Sequence, residues 1–178
     1  MEGISNGLLD KMGRKPTADL VGEFALQVPL TVISDMMGVP LKDREKFHHW
    51  SAGFLEGISS LGWSTLFQLP NMYRMVQFFR RLIELRIADP QDDLITGLVR
   101  AEQDGDRLSK DELVSMIFLL LLAGHETTVN LIANGTLAFM ENPDQLQKLK
   151  QNPALMDSAI EEILRYTNPV EQIAPRWV

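Results

Sequence analysis

The stretch LLLLAGHETT, residues 119–128, decides how this chain folds. It lies inside a proline-free segment that runs from Ser109 to Met140. Ser109 precedes Glu112 by three residues, which is the spacing of a helix-starting capping box. At 1.5 Å per residue, about 32 helical residues extend roughly 48 Å. The sequence therefore predicts one long helix, and its apolar part, Met116–Ala123, is expected to be buried because it is apolar nearly all round.

Composition limits the classes of protein to which this chain can belong. It has 178 residues, 45% of them hydrophobic, a net charge of −7 and no cysteine. A disordered chain is excluded, and general attraction to nucleic acid or an anionic membrane is not expected. Without cysteine, the chain has neither disulfides nor a thiolate metal site. Its longest apolar run is shorter than the ~18 residues of a membrane span, and no signal peptide is recognisable. We expect a soluble cytoplasmic protein.

Helix-start and helix-stop signals cover most of the chain. Asp89-Pro90, Asn142-Pro143 and Asn152-Pro153 mark boundaries, and the last of these opens a helix that ends near Thr167. Glycines and a proline predict a loop over Gly57–Asn71. After Asn168 the pattern predicts the start of a strand. The fold class is mainly α, in a single unit. The other predicted helices begin near Pro29 and cover about Asp43–Glu56, Met72–Ala88 and Asp92–Ala101.

The turn around Gly124 breaks local helix rules. Glycine inside a helix costs ~1 kcal/mol relative to alanine, and threonine hydroxyls can bond to a carbonyl one turn back. Such violations are expected at functional sites. Alternatively, Gly124 permits close helix packing and the polar groups satisfy one another. A zinc-peptidase motif is excluded because Val129 occupies the position of the second histidine, and the acidic balance disfavours a DNA-binding helix-turn-helix.

The sequence AGHETT preceded by four leucines resembles the oxygen-binding segment of the long central helix in cytochromes P450. This resemblance implies that Ala123 and Gly124 lie against a haem face. It implies that Glu126 and Thr127 form an acid–alcohol pair that delivers protons to dioxygen, since a carboxylate relays protons and a hydroxyl holds water. It also implies that Leu119 and Leu122 contact substrate.

Two later segments resemble the same family in the same order. Residues 158–166 resemble its Glu-x-x-Arg helix, in which the pair, here Glu162 and Arg165, is buried and has a structural role. Residues 168–176 resemble its substrate-contacting loop, followed by an arginine that binds a haem propionate. The resemblance assigns Arg176 to the propionate, and the substrate-contacting residues are Val170, Ile173 and Ala174. Earlier, residues 30–40 resemble the helix that precedes the substrate lid.

The resemblance implies an incomplete cytochrome P450 fold, with residues 1–178 as one partial domain lacking the cysteine loop. It implies haem b as cofactor, dioxygen and a small apolar organic molecule as substrates, and a ferredoxin- or flavodoxin-type electron donor. Because no thiolate is available to ligate iron, we expect residues 1–178 alone to be inactive. One alternative is a truncated or split helical fragment that acts only as an interaction module. Another, an unrelated all-α regulator, requires both motifs to be coincidental.

Overall fold

The computed structural model describes residues 2–59, 63–103 and 108–170. These residues form helices and connecting turns with no strand among them, which confirms the mainly α class. The predicted C-terminal strand falls largely on residues 171–178, outside the described residues. A π-helical turn spans Val21–Ala25, and 3₁₀ turns span Leu41–Asp43 and Pro153–Leu155. The α-helices are α1 (Glu2–Met12), α2 (Gln27–Met36), α3 (Arg44–Ser59), α4 (Trp63–Ala88), α5 (Leu94–Gln103), α6 (Lys110–Glu141), α7 (Pro143–Gln151) and α8 (Met156–Tyr166).

Helix α6 confirms the predicted long helix and its capping box. The Glu112 carboxylate accepts the Ser109 backbone N–H at 2.7 Å, and the Ser109 hydroxyl accepts the Glu112 N–H at 3.3 Å. Two backbone donors that have no partner within the helix are thereby satisfied. Within the described residues, α6 is the one helix long and apolar enough to cross a membrane, a criterion that core helices of soluble proteins also meet.

The predicted loop over Gly57–Asn71 is wrong for most of its length. Helix α3 continues to Ser59, and α4 begins at Trp63 and passes through Pro70. A Cβ at Gly53 of α3 would lie 2.6 Å from the Gln68 side chain and 2.7 Å from that of Asn71. Gly53 therefore lets α4 approach α3 closely. Proline disfavours a helix only over the neighbouring turn. Packing between α3 and α4 outweighs this local effect of Pro70.

The helices group into two compact units, Leu30–Ala123 and Met1–Pro29 with Gly124–Val178. The unit Leu30–Ala123 contains an aromatic core. The Phe79 ring lies 6.0 Å from that of Phe47 and 5.3 Å from that of Phe118, and the Phe54 and Phe118 rings are 4.7 Å apart. Edge and tilted contacts of this kind stabilise a core beyond the burial of their area.

A buried ion pair, Arg86–Asp93, connects three segments of the unit Leu30–Ala123. Arg86 pairs with Asp93, and their side chains are 13% and 3% exposed. Arg86 also donates to the Gly38 carbonyl at 2.8 Å, and Asp93 accepts the Thr96 N–H at 2.8 Å. Gly38 has a φ of 65°, and a Cβ there would lie 2.7 Å from the Arg86 guanidinium. Glycine is required at this position both for the backbone conformation and for the close approach.

The unit made of Met1–Pro29 and Gly124–Val178 has few buried residues. None of the helices α1, α7 and α8 contains a buried residue. Two of its helices pack closely at Gly135, where a Cβ would lie 2.9 Å from Ile163 Cγ2. Gly135 therefore brings α6 and α8 into close contact. The prediction of one single domain stays a prediction.

Candidate functional site

The polar turn of α6 from Gly124 to Thr128 is helical, and the Thr128 hydroxyl bonds back to the helix. The Thr128 hydroxyl donates to the Gly124 carbonyl at 2.9 Å, as expected for threonine inside a helix. Thr127 is half-buried and Glu126 is exposed. In the predicted acid–alcohol pair, the Glu126 carboxylate therefore contacts solvent, and the Thr127 side chain is partly shielded from solvent.

His125, to which sequence analysis gave no role, is the buried polar residue of this turn. Its side chain is 5% exposed. Its ring forms a hydrogen bond with the backbone of Leu26, and the ring is the donor because this bond favours the protonated form. Burial lowers the pKa of His125, although the Leu26 hydrogen bond and the Glu126 charge act in the opposite direction. His125 thus attaches the polar turn to the segment that follows the π-helical turn.

A spacing of four residues is the signal that identifies His125 as buried. Ile117, Leu121, His125 and Val129 are 1%, 0%, 5% and 8% exposed, so they form one buried stripe of α6. Residues four apart share a helix face. A histidine in the middle of an apolar stripe is expected to face the interior, where it needs a hydrogen-bond partner.

Burial of α6 all round, as predicted for Met116–Ala123, is wrong for one side of the helix. Leu119 is 58% exposed, and Ala123 and Glu126 are exposed as well. Within the described residues nothing covers this face, which carries an aliphatic side chain, a small residue and a carboxylate at helical spacing. Leu122, the second predicted substrate contact on α6, is half-buried.

Glu162 and Arg165 form the predicted pair on α8. The guanidinium donates two hydrogen bonds to the carboxylate, at 2.7 and 2.5 Å. The hydrogen bond from Arg165 lowers the pKa of Glu162. The pair is not buried within the described residues: the side chains are 60% and 70% exposed. Glu162 lines a cleft of about 340 Å³ together with Phe139, Leu149 and Tyr166.

The segment after α8 is described only as far as Val170. The Asn168 side chain accepts the Val170 N–H at 3.0 Å, and the Asn130 amide donates to the Pro169 carbonyl at 3.4 Å. Val170 is 49% exposed. The other predicted substrate contacts, Ile173 and Ala174, and the predicted propionate-binding Arg176 lie outside the described residues. Their roles stay predictions.

Comparison with known protein families identifies the fold to which these helices belong. The family model described as Cytochrome P450 matches residues 68–178, which is more than half of the chain. The chain belongs to the cytochrome P450 family. The resemblance seen in AGHETT and in the Glu-x-x-Arg helix is confirmed, and the helical fold is part of the cytochrome P450 fold.

Several bacterial cytochromes P450 are similar to nearly the whole chain. Cytochrome P450 107B1 of Saccharopolyspora erythraea is 45% identical over 170 residues, which cover 96% of this chain and 41% of the relative. The polyketide biosynthesis cytochrome P450 PksS of Bacillus subtilis is 42% identical over 180 residues, with 99% and 43% covered. The chain therefore spans about two fifths of the length of these relatives.

Solved structures of the family superimpose on the described helices. The PksS structure matches with a TM-score of 0.85 and 40% identity, and the match covers 95% of this chain and 43% of PksS. P450BioI in complex with hexadec-9Z-enoic acid ligated acyl carrier protein matches with a TM-score of 0.79 and 35% identity, covering 92% and 43%. At these identities the agreement extends beyond the general fold to the family.

Proposed function

We propose that this chain is part of a haem monooxygenase that activates dioxygen and oxidises an apolar organic substrate. The observation that carries the proposal is the turn from Gly124 to Thr128, with an exposed carboxylate beside a half-buried hydroxyl. Membership of the cytochrome P450 family supports it. The alternative, a non-catalytic helical interaction module, has no explanation for this polar pair on an otherwise apolar helix face.

The exposed face of α6 fits a flat apolar cofactor. Ala123 offers a small side chain there, and together with Gly124 it leaves room beside the backbone. The chain contains no cysteine, so a thiolate ligand to the haem iron has to come from outside residues 1–178. When bound, haem b supplies the redox chemistry that activates dioxygen. Arg176 is proposed to bind a haem propionate by charge-assisted hydrogen bonds.

The residues of this chain move and hold protons in the proposed mechanism. Glu126 is exposed and takes up protons from solvent. The half-buried Thr127 receives them and holds a water by hydrogen bonds at the haem face. The proposal gives the alcohol role to Thr127, the position at which the family resemblance places it, and assigns no proton-transfer step to Thr128, whose hydroxyl donates to the Gly124 carbonyl. His125 does not move protons either: it keeps the turn in place through Leu26.

The proposed substrate is apolar, and the proposed electron donor is of the ferredoxin or flavodoxin type. The exposed Leu119 and Val170 and the half-buried Leu122 support an apolar substrate contact. The fatty acyl ligand in the P450BioI complex is consistent with that class. The similarity to bacterial cytochromes P450 supports the proposed cytoplasmic location.

The experiment compares two threonines that are adjacent in sequence. The protein expressed from its complete gene is loaded with haem and given an apolar compound that shifts its Soret band. We expect Thr127→Ala to divert most of the consumed dioxygen to hydrogen peroxide, and Thr128→Ala to retain product formation within about twofold. Glu126→Gln should slow turnover roughly tenfold or more. Equal behaviour of the two threonine variants, or the absence of a thiolate-type carbon monoxide spectrum, would refute the proposal.

A further inference from the structure

A groove between α3 and α4 lies entirely within the unit Leu30–Ala123 and shares no residue with the polar turn of α6. It has a volume of about 470 Å³, within the ~300–1,000 Å³ range of small-molecule sites. It is lined by Asp43 of the preceding 3₁₀ turn and by Lys46 and Trp50 of the first half of α3. From α4 it is lined mainly by residues between Tyr73 and Leu85. We refer to it as the α3–α4 groove.

The floor of the α3–α4 groove is aromatic and apolar. The Trp50 and Phe78 rings meet edge to face, 5.9 Å between centroids. Leu82 is 2% exposed, and Leu85 and Tyr73 are 56% and 66% exposed at the rim. These groups give an apolar or aromatic ligand a surface for van der Waals and ring contacts.

The charges around this floor are mostly positive. Lys46, Arg74 and Arg81 line the groove together with a single acid, Asp43. None of the three cations has an ion pair or a side-chain hydrogen bond within the described residues. This pattern is unusual in a chain with a net charge of −7. The groove therefore has charge complementarity for an anion.

Other arginines of the same helices are neutralised. Arg44 pairs with Asp35 and Arg80 with Asp111, at 2.5 and 2.8 Å. Arg74 and Arg81 lie seven residues apart on α4, a rise of about 10.5 Å along the helix. Because their backbone positions are about two helical turns apart on the same face of α4, the body of a ligand has room on the rings while one guanidinium binds its anionic end bidentately.

We propose that the α3–α4 groove binds a small amphipathic organic anion, with an apolar or aromatic body on Trp50 and Phe78 and a carboxylate, sulfonate or phosphate on Arg74 or Arg81. Its size favours a small molecule over an acidic segment of a partner protein, which needs a longer face than these two cations provide. The site is separate from the proposed substrate contacts, so it does not rest on the monooxygenase proposal.

The test measures binding of phenylbutyrate to the protein expressed from its complete gene, by isothermal titration calorimetry at low salt. The uncharged phenylbutyramide serves as the ligand control. The double variant Arg74→Gln/Arg81→Gln should bind phenylbutyrate roughly tenfold more weakly or worse, because charge-assisted hydrogen bonds are lost. A matched variant with the same change in net charge, Lys11→Gln/Arg100→Gln, should bind within twofold of the wild type.

Several outcomes would overturn the proposal. These are equal binding of the acid and the amide, equal weakening in both double variants, or a Soret shift on titration, which would put the anion in the haem pocket. Binding only of a glutamate-rich amphipathic peptide would assign the groove to a protein partner instead. Arg74 and Arg81 are exposed, so unchanged circular dichroism of the variant is expected and checks that it is folded.

Discussion

Replacing Asp93 by Asn should destabilise the protein more than any other single charge neutralisation discussed above. The Asp93 and Arg86 side chains are 3% and 13% exposed. The substitution keeps an oxygen that can accept the Thr96 N–H, but it leaves the Arg86 guanidinium without its counter-charge in a mostly buried position. The remaining hydrogen bond to the Gly38 carbonyl, at 2.8 Å, does not neutralise that charge.

The expected loss of unfolding free energy follows from the unpaired Arg86 guanidinium that the substitution leaves behind. Removing one partner of a buried ion pair typically costs ~3–5 kcal/mol. Because Arg86 is 13% exposed and water reaches part of it, we expect about 2–3 kcal/mol for Asp93→Asn. The control is Asp111→Asn, which breaks an ion pair of 2.8 Å whose side chains are 46% and 77% exposed. A pair this exposed contributes only ~0–1 kcal/mol.

The assay is urea denaturation of the protein expressed from its complete gene, followed by far-ultraviolet circular dichroism. The reasoning is refuted if Asp93→Asn and Asp111→Asn lower the free energy of unfolding equally. A second readout is pH. Burial opposes ionisation of Asp93, but the hydrogen bonds from Thr96 and Arg86 outweigh it and lower the pKa of Asp93 below 3.8. The stability that this carboxylate contributes is therefore present above pH 3.8 and lost as the pH falls through the lowered pKa. Asp93→Asn should remove this acid dependence.

Two further predictions concern α6 and the histidines. Ser109→Ala should lower the free energy of unfolding by about 1 kcal/mol through loss of the N-cap. Ser115→Ala, which removes only a hydroxyl bonded to the Asp111 carbonyl of its own helix, should change it by less than ~0.5 kcal/mol; similar losses in both would contradict the capping role. Burial lowers the pKa of His48 and of His125 below 6.5, so the folded protein binds fewer protons than the unfolded chain and loses stability as the pH falls below 6.5. His125→Asn should reduce the slope of melting temperature against pH between about pH 7 and pH 5, and an unchanged slope would show that His125 is not the buried base.

Short-range signals made much of the fold predictable. The capping box at Ser109 and the proline-free run after it predicted α6 to within a residue at each end, because caps act within one turn. The Pro143 start of α7 was predicted for the same reason. The Glu-x-x-Arg pair was also predictable, since residues three apart on a helix are neighbours. Its exposure in the described structure was not.

The sequence by itself determined the mainly α class, the long helix, the family and the order of its motifs, since each of these is encoded in a few neighbouring residues. Tertiary structure alone decided that α4 continues through Pro70, because the cause is the approach of Gln68 to Gly53. It also decided that Arg86 reaches Gly38, 48 positions away in sequence. The same holds for the partner of His125 and for the unpaired cations of the α3–α4 groove. Whether a charge is paired, or a buried group finds a hydrogen-bond partner, depends on which distant residues the fold brings near it. No local sequence pattern contains that information.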